Sequence, residues 1–254
     1  MNHKEVLLPC LKSINENRPS KYSFEVIIVD NCSNDGTEQC IMDSNFDFKM
    51  KYIKNRRKYN YAKNNNIAMK NSLGKYYLIL NPDTIILPNT LDFMINYMEE
   101  NPKVGASACK LVYRDMSFQE NCRRFPAPKY AVASRFKSWG LNLFNKFAEE
   151  YIQCSEYDNS PKPVDYIIGA YMFLRREAID DVGMFDERFI LYAEDTDLCF
   201  RLWLHNWEVW YVPNVSIVHL YDRGATKSII NKKAVIQFYT LILFYLKNYL
   251  KIIK

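Results

Sequence analysis

Two apolar runs in the sequence end on carboxylates. FEVIIVD closes on Asp30 and YYLILNPD on Asp83, and a polar stretch adjoins each acid. In open α/β sheets, ligands bind outside the carboxyl ends of the strands. If the two strands are neighbours, both carboxylates line one crevice. One can accept hydrogen bonds from a base or ribose, and the other can hold a hard cation, which prefers oxygen ligands. Pro82 fixes the turn before Asp83 and removes a competing N–H donor. One such aspartate alone is more often a turn or cap residue; the pair is what points to a ligand. A second group of acids, Glu194, Asp195 and Asp197, sits where a helix begins. Capping would account for acids there, because a helix N-terminus favours carboxylates. Three acids within four residues also repel one another, which raises the pKa of at least one toward that of a general base. Arg201 lies one turn beyond Asp197 and suits an ion pair with it, leaving Asp195 as the exposed reactive acid. His219 ends the run VSIVH. It is either a satisfied structural histidine or a neutral imidazole that completes a metal shell with Asp83.

These residues need a frame to hold them. KEVLLPCLKSINE (4–16) carries apolar residues at helical spacing, and FEVIIVD (24–30) reads as a buried parallel strand followed by a turn and a short helix. KYIK (51–54) is a further strand candidate, and YAKNNNIAMKNSLG (61–74) reads as a helix stopped by Gly74. KYYLILN is a second buried strand, and 89–100 is an amphipathic helix with Leu91, Met94, Ile95 and Met98 inward. The aromatic, basic stretch 113–163 reads as a mobile insertion. Beyond it come a strand-like 164–176, a short helix over 177–183 closed by Gly183, a longer helix over 195–206, and two strands, EVWYVP and VSIVHL. Strands alternating with helices predict an α/β domain with a mostly parallel sheet.

Composition bounds the function. The 254 residues are 48% hydrophobic and 25% charged, enough for a sizeable core and unlike a disordered chain. A net charge of +5 is too small to argue for nucleic acid and is compatible with anionic small molecules or an anionic membrane face. Seven scattered cysteines form no CxxC pair, so neither a zinc site nor a disulfide framework follows. With no signal peptide opening the chain, a reducing, cytoplasmic location is expected.

VIIVDNCSNDGT, GKYYLILNPDTIILPNTL and IIGAYMFLRREAIDDVGMFDERFILYAEDTDLCFRL, in that order, resemble family 2 glycosyltransferases of the Rossmann-like GT-A fold, nearest to a rhamnosyltransferase-like branch that builds bacterial surface polysaccharide. The resemblance runs from near residue 2 to about 228. It implies a GT-A domain over 1–228 and a helical tail over 229–254. It also implies a nucleoside-diphosphate-sugar donor (dTDP-rhamnose or a UDP-sugar), a glycan or lipid-linked acceptor, a divalent metal (Mn2+ or Mg2+) and inverting transfer. By the same resemblance, the donor site comprises Asp30, Asn31, Ser33, Asp35, Asn65, Asn81 and Asp83. Asp83 and His219 would face the metal, Gly169, Ala170 and Glu194 the donor sugar and acceptor, and Asp195 would be the catalytic base. Arg123, Arg124 and Arg223 are phosphate candidates.

The sequence departs from the family in two ways. Met1-Asn2-His3 stands where the family's first, central strand should end, so that strand is missing and the sheet is expected to have a gap. Asn60-Tyr61 replaces a usual Gly-Phe, and Asn60 and Asn206 are expected to tolerate a left-handed backbone in place of glycine. The tail AVIQFYTLILFYLKNYLKIIK has an apolar stretch of about 13 residues, short of the roughly 20 that span a bilayer. It either packs on the domain or lies on the cytoplasmic membrane face with Lys247, Lys251 and Lys254 near lipid phosphates. Two alternatives to an active transferase stand beside it. One is a non-catalytic relative that binds a sugar nucleotide or a partner. The other is a nucleotidyltransferase, which would need a Gly-rich phosphate loop that the sequence does not show.

Overall fold

Helical spacing at the amino terminus folds as α1 (Lys4–Glu16), which buries Cys10, Leu11 and Ile14. The computed structural model describes residues 1–127, 129–130, 145–220 and 232–249. After α1 come β1 (Glu25–Asp30), α2 (Thr37–Met42), β2 (Lys49–Lys54) and α3 (Tyr61–Lys70). Next are β3 (Tyr76–Leu80), β4 (Thr84–Ile86), α4 (Thr90–Glu100) and β5 (Val104–Val112). The stretch expected to be a loop-rich insertion contains β6 (Phe118–Gln119), β7 (Cys122–Arg123), α5 (Asn145–Tyr151) and β8 (Lys162–Pro163). The chain then forms β9 (Tyr166–Ile167), β10 (Tyr171–Arg175), α6 (Arg176–Val182), α7 (Glu194–Leu204), β11 (Glu208–His219) and α8 (Lys232–Asn248). The run expected as one strand over 164–176 is thus broken at Ile168–Ala170. The two expected final strands are one, with a register shift between Val212 and Ser216.

The main sheet has the order β3-β10-β5-β11-β4. It is mixed where a mostly parallel sheet was expected. β5 and β11 pair in parallel, but β10 runs antiparallel to both β3 and β5, and β4 antiparallel to β11. The cause is the excursion from β6 to β9. It returns the chain at the carboxyl end of β3, where Tyr171 faces Leu80, so β10 must run backwards.

Only Asn81-Pro82-Asp83 separates β3 from β4, yet three strands lie between them in the order. Four flat intervals at about 4.8 Å would need roughly 19 Å, and four Cα steps reach at most about 14 Å. The sheet therefore splays and curls at this end: β10 keeps only Phe173 and Leu174 in register with β5. Asn81–Asp83 crosses that opening, which carries Asp83 toward the middle of the sheet's carboxyl edge.

β1 and β2 form a separate parallel pair. Among the described residues β1 pairs with β2 alone and β3 with β10 alone, so a gap stands between β1 and β3, where the sequence predicts a missing strand. A cavity of ≈900 Å3 fills it. The helices reach this end with local capping. Asn60 caps α3 by accepting from Lys63 N (2.9 Å), at an extended φ of −74°. It is therefore not a left-handed stand-in for glycine, whereas Asn206 is, at φ 64°. α3 ends at Lys70, short of Gly74, where Asn71 caps it.

Candidate active site

Asp195 sits in the first turn of α7, directly after two strained residues, Tyr192 (φ 68°) and Ala193 (φ 65°). Neither has the short polar side chain that eases the left-handed region, and each costs about 1–2 kcal/mol there. Such strain is found where a backbone must aim something, and here it aims Glu194 and Asp195. Asp195 Oδ2 accepts from Gly169 N (3.0 Å), and Oδ1 accepts from Thr196 N (2.7 Å) and Thr196 Oγ1 (3.2 Å). Burial pushes its pKa up, while these donors and the charge of Arg123 pull it back. Glu194 is also buried, and its Oε2 has no partner among the described residues. Burial, then the charge of Asp195, push Glu194 up to about 8. Three donors favour the charged form of Asp195 and Glu194 Oε2 has none among the described residues, so a proton shared by the pair favours Glu194.

A raised folded-state pKa sets the sign of a pH effect. Glu194 has the ordinary value of 4.5 when unfolded, so between pH 4.5 and about 8 the folded chain binds the extra proton. Its contribution to stability is complete below 4.5 and is lost as pH rises through about 8. Glu194→Gln is expected to flatten the pH dependence of the urea midpoint across that window. An unchanged slope would show that Glu194 is not the group responsible.

Gly169 and Ala170 link this acid to Asp83. Tyr61 Oη donates to Gly169 O (2.6 Å), and Asn81 N donates to Ala170 O (3.1 Å). A Cβ on Gly169 would lie 2.7 Å from Tyr61 Oη, so the position needs glycine. Asp195, Gly169, Ala170, Asn81 and Asp83 therefore form one hydrogen-bonded thread across the carboxyl edge of the sheet. Burial and the charges of Asp195 and Glu194 raise the Tyr61 hydroxyl, keeping it a donor.

Asp83 O accepts from Leu220 N (2.8 Å), which brings the end of β11 to the same place. His219 Nε2 lies 3.5 Å from Asp83 Oδ1, and His219 Nδ1 lies 3.1 Å from Gln119 Oε1. With Gln119 Oε1 beside Nδ1, Nε2 is the ring nitrogen that faces Asp83. Burial opposes ionisation of Asp83, but the hydrogen bond and charge of His219 outweigh it and lower the pKa.

A divalent metal is tested by these donors. Among the described residues, no three His, Cys, Asp or Glu converge on one point. Asp83, which lines the cavity, and His219 beside it do supply an oxygen and a nitrogen. A small hard cation held by one or two protein ligands keeps its remaining positions for phosphate oxygens and water, so the pair fits.

The other expected donor residues divide. Asp30 is buried at the end of β1 and accepts twice from Ser33 N (3.1 Å each), and Ser33 Oγ accepts from Asn2 N (3.0 Å). Asn31 turns toward the 55–60 loop, donating to Tyr59 O (2.9 Å) and accepting from Tyr59 N (2.8 Å). Asp35 accepts from Lys4 N and Thr37 N, tying α1 to α2. Asn65 donates to Tyr61 O within α3. Asp30, Asn31, Ser33, Asn65, Asn81 and Asp83 all line the gap cavity; Asp35, Gly169, Ala170, Glu194 and Asp195 do not.

Arg124 lies 4.0 Å from Asp165, and Arg123 stacks 5.7 Å from the Tyr151 ring. Arg223, Lys251 and Lys254 lie outside the described residues. Sequence reading missed Tyr61, Gln119 and Thr196. Tyr61 was visible only as a substitution for phenylalanine, and Gln119 lies in the stretch that carried no periodic signal.

α8 docks on α7. Lys247 Nζ is 2.8 Å from both Asp186 and Asp197, and Asn248 Nδ2 is 2.9 Å from Asp197 Oδ1. Asp197 is fully buried and also holds Arg201 Nε (2.9 Å). Lys247 is thus turned onto the domain, away from the lipid contact considered for it. No helix among the described residues is long and apolar enough to cross a membrane.

Comparison with known proteins gives the family and the fold. Residues 1–183 match the model of "Glycosyl transferase family 2". The N-acetylglucosaminyl-diphospho-decaprenol L-rhamnosyltransferase of Mycobacterium tuberculosis is 29% identical over 208 residues, which is 76% of this chain and 66% of that protein. Rhamnosyltransferase WbbL of Escherichia coli is 30% identical over 171 residues, 63% of this chain and 61% of its own. The chain thus spans about two thirds or less of these relatives' length. Among solved structures, S. aureus TarS in complex with UDP-GlcNAc superposes with a TM-score of 0.63 at 16% identity, covering 98% of this chain and 65% of that one. GalNAc-T7 with UDP, GalNAc and Mn2+ gives 0.61 at 15% identity, covering 85% and 41%. With the matched model covering well over half its residues, the chain belongs to glycosyl transferase family 2, on a GT-A fold.

Proposed function

We propose that this chain transfers a sugar, with inversion, from a nucleoside-diphosphate sugar to a hydroxyl of a glycan or lipid-linked glycan in surface polysaccharide synthesis. The observation that carries the reading is the thread from Asp195 through Gly169 and Ala170 to Asn81 and Asp83. It ties the Asp195 carboxyl and the candidate diphosphate site together on one edge of the sheet. Asp195 accepts the proton of the acceptor hydroxyl as that oxygen bonds to the anomeric carbon. The bond from the anomeric carbon to the diphosphate oxygen breaks on the opposite face, which inverts configuration. Asp30 and Ser33 offer polar groups to the nucleoside at the cavity mouth. Asp83 and His219 would hold a divalent cation, which when bound neutralises charge on the leaving diphosphate. Rhamnose is favoured as the sugar by the names of the two curated relatives.

Calorimetric titration with UDP and dTDP, with and without Mn2+, tests the donor site. Metal-dependent binding is expected, and Asp83→Ala should weaken it by about tenfold to a hundredfold, the usual cost of disturbing a metal site. Binding that is equally strong without Mn2+ or in Asp83→Ala would remove Asp83 from the donor site. The gap beside β1 favours the second reading, a relative that binds a sugar nucleotide or a partner without turnover. Donor hydrolysis or transfer by the purified chain would dismiss it.

A further inference from the structure

The start of α3 is bound to the segment that leads into α7. Asn60 Nδ2 donates to Glu187 O (2.7 Å) and Phe189 O (3.0 Å). Further along α3, Asn66 donates to Phe185 O (2.9 Å) and accepts from Phe185 N (3.1 Å). Between these anchors stands Tyr61, whose ring meets Phe185 edge to face with centroids 6.2 Å apart. The other side of the ring lies against Gly169, where an added Cβ would be 3.2 Å from Tyr61 Cζ and 3.3 Å from Cε1. Packing on two sides therefore sets where the Tyr61 hydroxyl sits, and a group locked in this way can orient its neighbour.

Gly169 depends on such a neighbour. Without a Cβ its own dihedrals are loose, and three bonds define the backbone there. Gly169 N donates to Asp195 Oδ2 (3.0 Å), Gly169 O accepts from Tyr61 Oη (2.6 Å), and Ala170 O accepts from Asn81 N (3.1 Å). Tyr61 is the one partner of Gly169 O among the described residues. A carbonyl that loses its donor turns toward water or another donor. Ala170 is buried and pinned by Asn81 and by β10, which begins at Tyr171. The adjustment therefore falls on Gly169, and its N–H moves off Asp195.

We propose that Tyr61 is a positioning residue for Asp195: its hydroxyl anchors the Gly169 carbonyl and thereby keeps the Gly169 N–H on Asp195 Oδ2. With Oδ1 tied to Thr196 and Oδ2 to Gly169, the plane of the carboxyl is fixed from both ends. Tyr61 also lines the gap cavity, so one side chain borders the candidate donor site and steadies the acid. The catalytic consequence rests on the proposed role of Asp195; the structural one does not. Loss of the Gly169 donor disfavours the carboxylate, so Asp195 becomes a weaker acid and ionises at higher pH. The other groups that bear on Asp195 are Glu194 and Cys199 on α7, Tyr166 on β9 and Arg123 on β7. Tyr61→Phe leaves all of these in the chain and keeps the ring that packs on Phe185 and Gly169.

NMR of the full chain labelled with carbon-13 at the aspartate carboxyls tests this without any substrate. The resonance missing from Asp195→Asn is that of Asp195. Neighbouring acids titrate as a pair, so the titrations are run in the Glu194→Gln background, where the Asp195 carboxyl titrates without that partner. Adding Tyr61→Phe should make Asp195 about threefold to tenfold weaker as an acid and speed amide exchange at Gly169 by at least about tenfold. Tyr171→Phe is the control. It removes another buried hydroxyl, two residues from Gly169, that has no partner among the described residues, and it should leave both readouts unchanged. Release of dTDP from dTDP-rhamnose with Mn2+ adds a kinetic readout: in Tyr61→Phe the acid limb of kcat should move to higher pH while KM stays within about twofold. If neither the Asp195 midpoint nor the Gly169 amide moves in Tyr61→Phe, or if both move as far in Tyr171→Phe, the inference is overturned. A chain that turns over with unmoved NMR readouts loses this inference alone. One that shows the NMR shifts yet never releases dTDP loses the proposed function alone.

Discussion

Asp195→Asn is expected to lower sugar transfer by about 10^2–10^4-fold, the range for a lost general base, while UDP binding persists. The geometry explains why the loss should be in turnover. Asp195 is not among the residues lining the cavity mouth, where the nucleoside is expected, and it meets the thread at Gly169. The amide is not a perfect structural copy. Gly169 N and Thr196 N donate to different carboxyl oxygens, and asparagine offers one acceptor for the two. A buried N–H facing an amide NH2 costs about 1–3 kcal/mol, so Tm must be followed in parallel. Activity within tenfold of the unchanged chain would show that another group takes the proton.

Asp197→Ala should be the most destabilising single change in the site region, by about 3–5 kcal/mol. Its carboxylate is fully buried and serves Arg201, Lys247 and Asn248 together. Removing it leaves two cations facing a dry pocket, and breaking a buried pair from one side is far costlier than the pair is worth. Tm should fall by roughly 10 °C, and Asp197→Asn, which keeps one acceptor and the volume, should fall less. The Arg201 guanidinium retains Val182 O, Gly183 O and Met184 O, so the loss should concentrate on the contact with α8. Faster proteolysis within 232–249 would report it directly. A Tm change under about 2 °C would mean that solvent already satisfies these groups.

The sequence revealed most elements where side-chain periodicity is driven by one buried face. α1, α4, β1 and β3 are such cases. It also revealed the acids, because two apolar runs that both close on a carboxylate are harder to explain as turns than one alone. It did not reveal strand direction. Whether β10 runs with or against β3 depends on where the chain re-enters the sheet after β9, and no local residue records that. The same holds for His219. Its type and place were legible, but its approach to Asp83 and its partner Gln119 come from strands that meet only in the folded sheet. Lys247 looked like a surface cation beside an apolar tail. Its two carboxylate partners lie some fifty residues or more earlier, beyond the reach of any window.

The turn that carries Asp83 also sets an order of events in time. β3 and β4 leave the ribosome almost together, but Leu80 must wait for Tyr171 and Thr84 for His219. Loop closure over such lengths has to precede any reward from pairing, which is why non-local sheets fold slowly. Both strands that flank Asp83 therefore spend the early life of the chain with unpaired apolar edges. The carboxyl edge that would hold the diphosphate is thus among the last parts to assemble, and the stretch of greatest chemical interest is also the one most open to mispairing before β10 and β11 arrive.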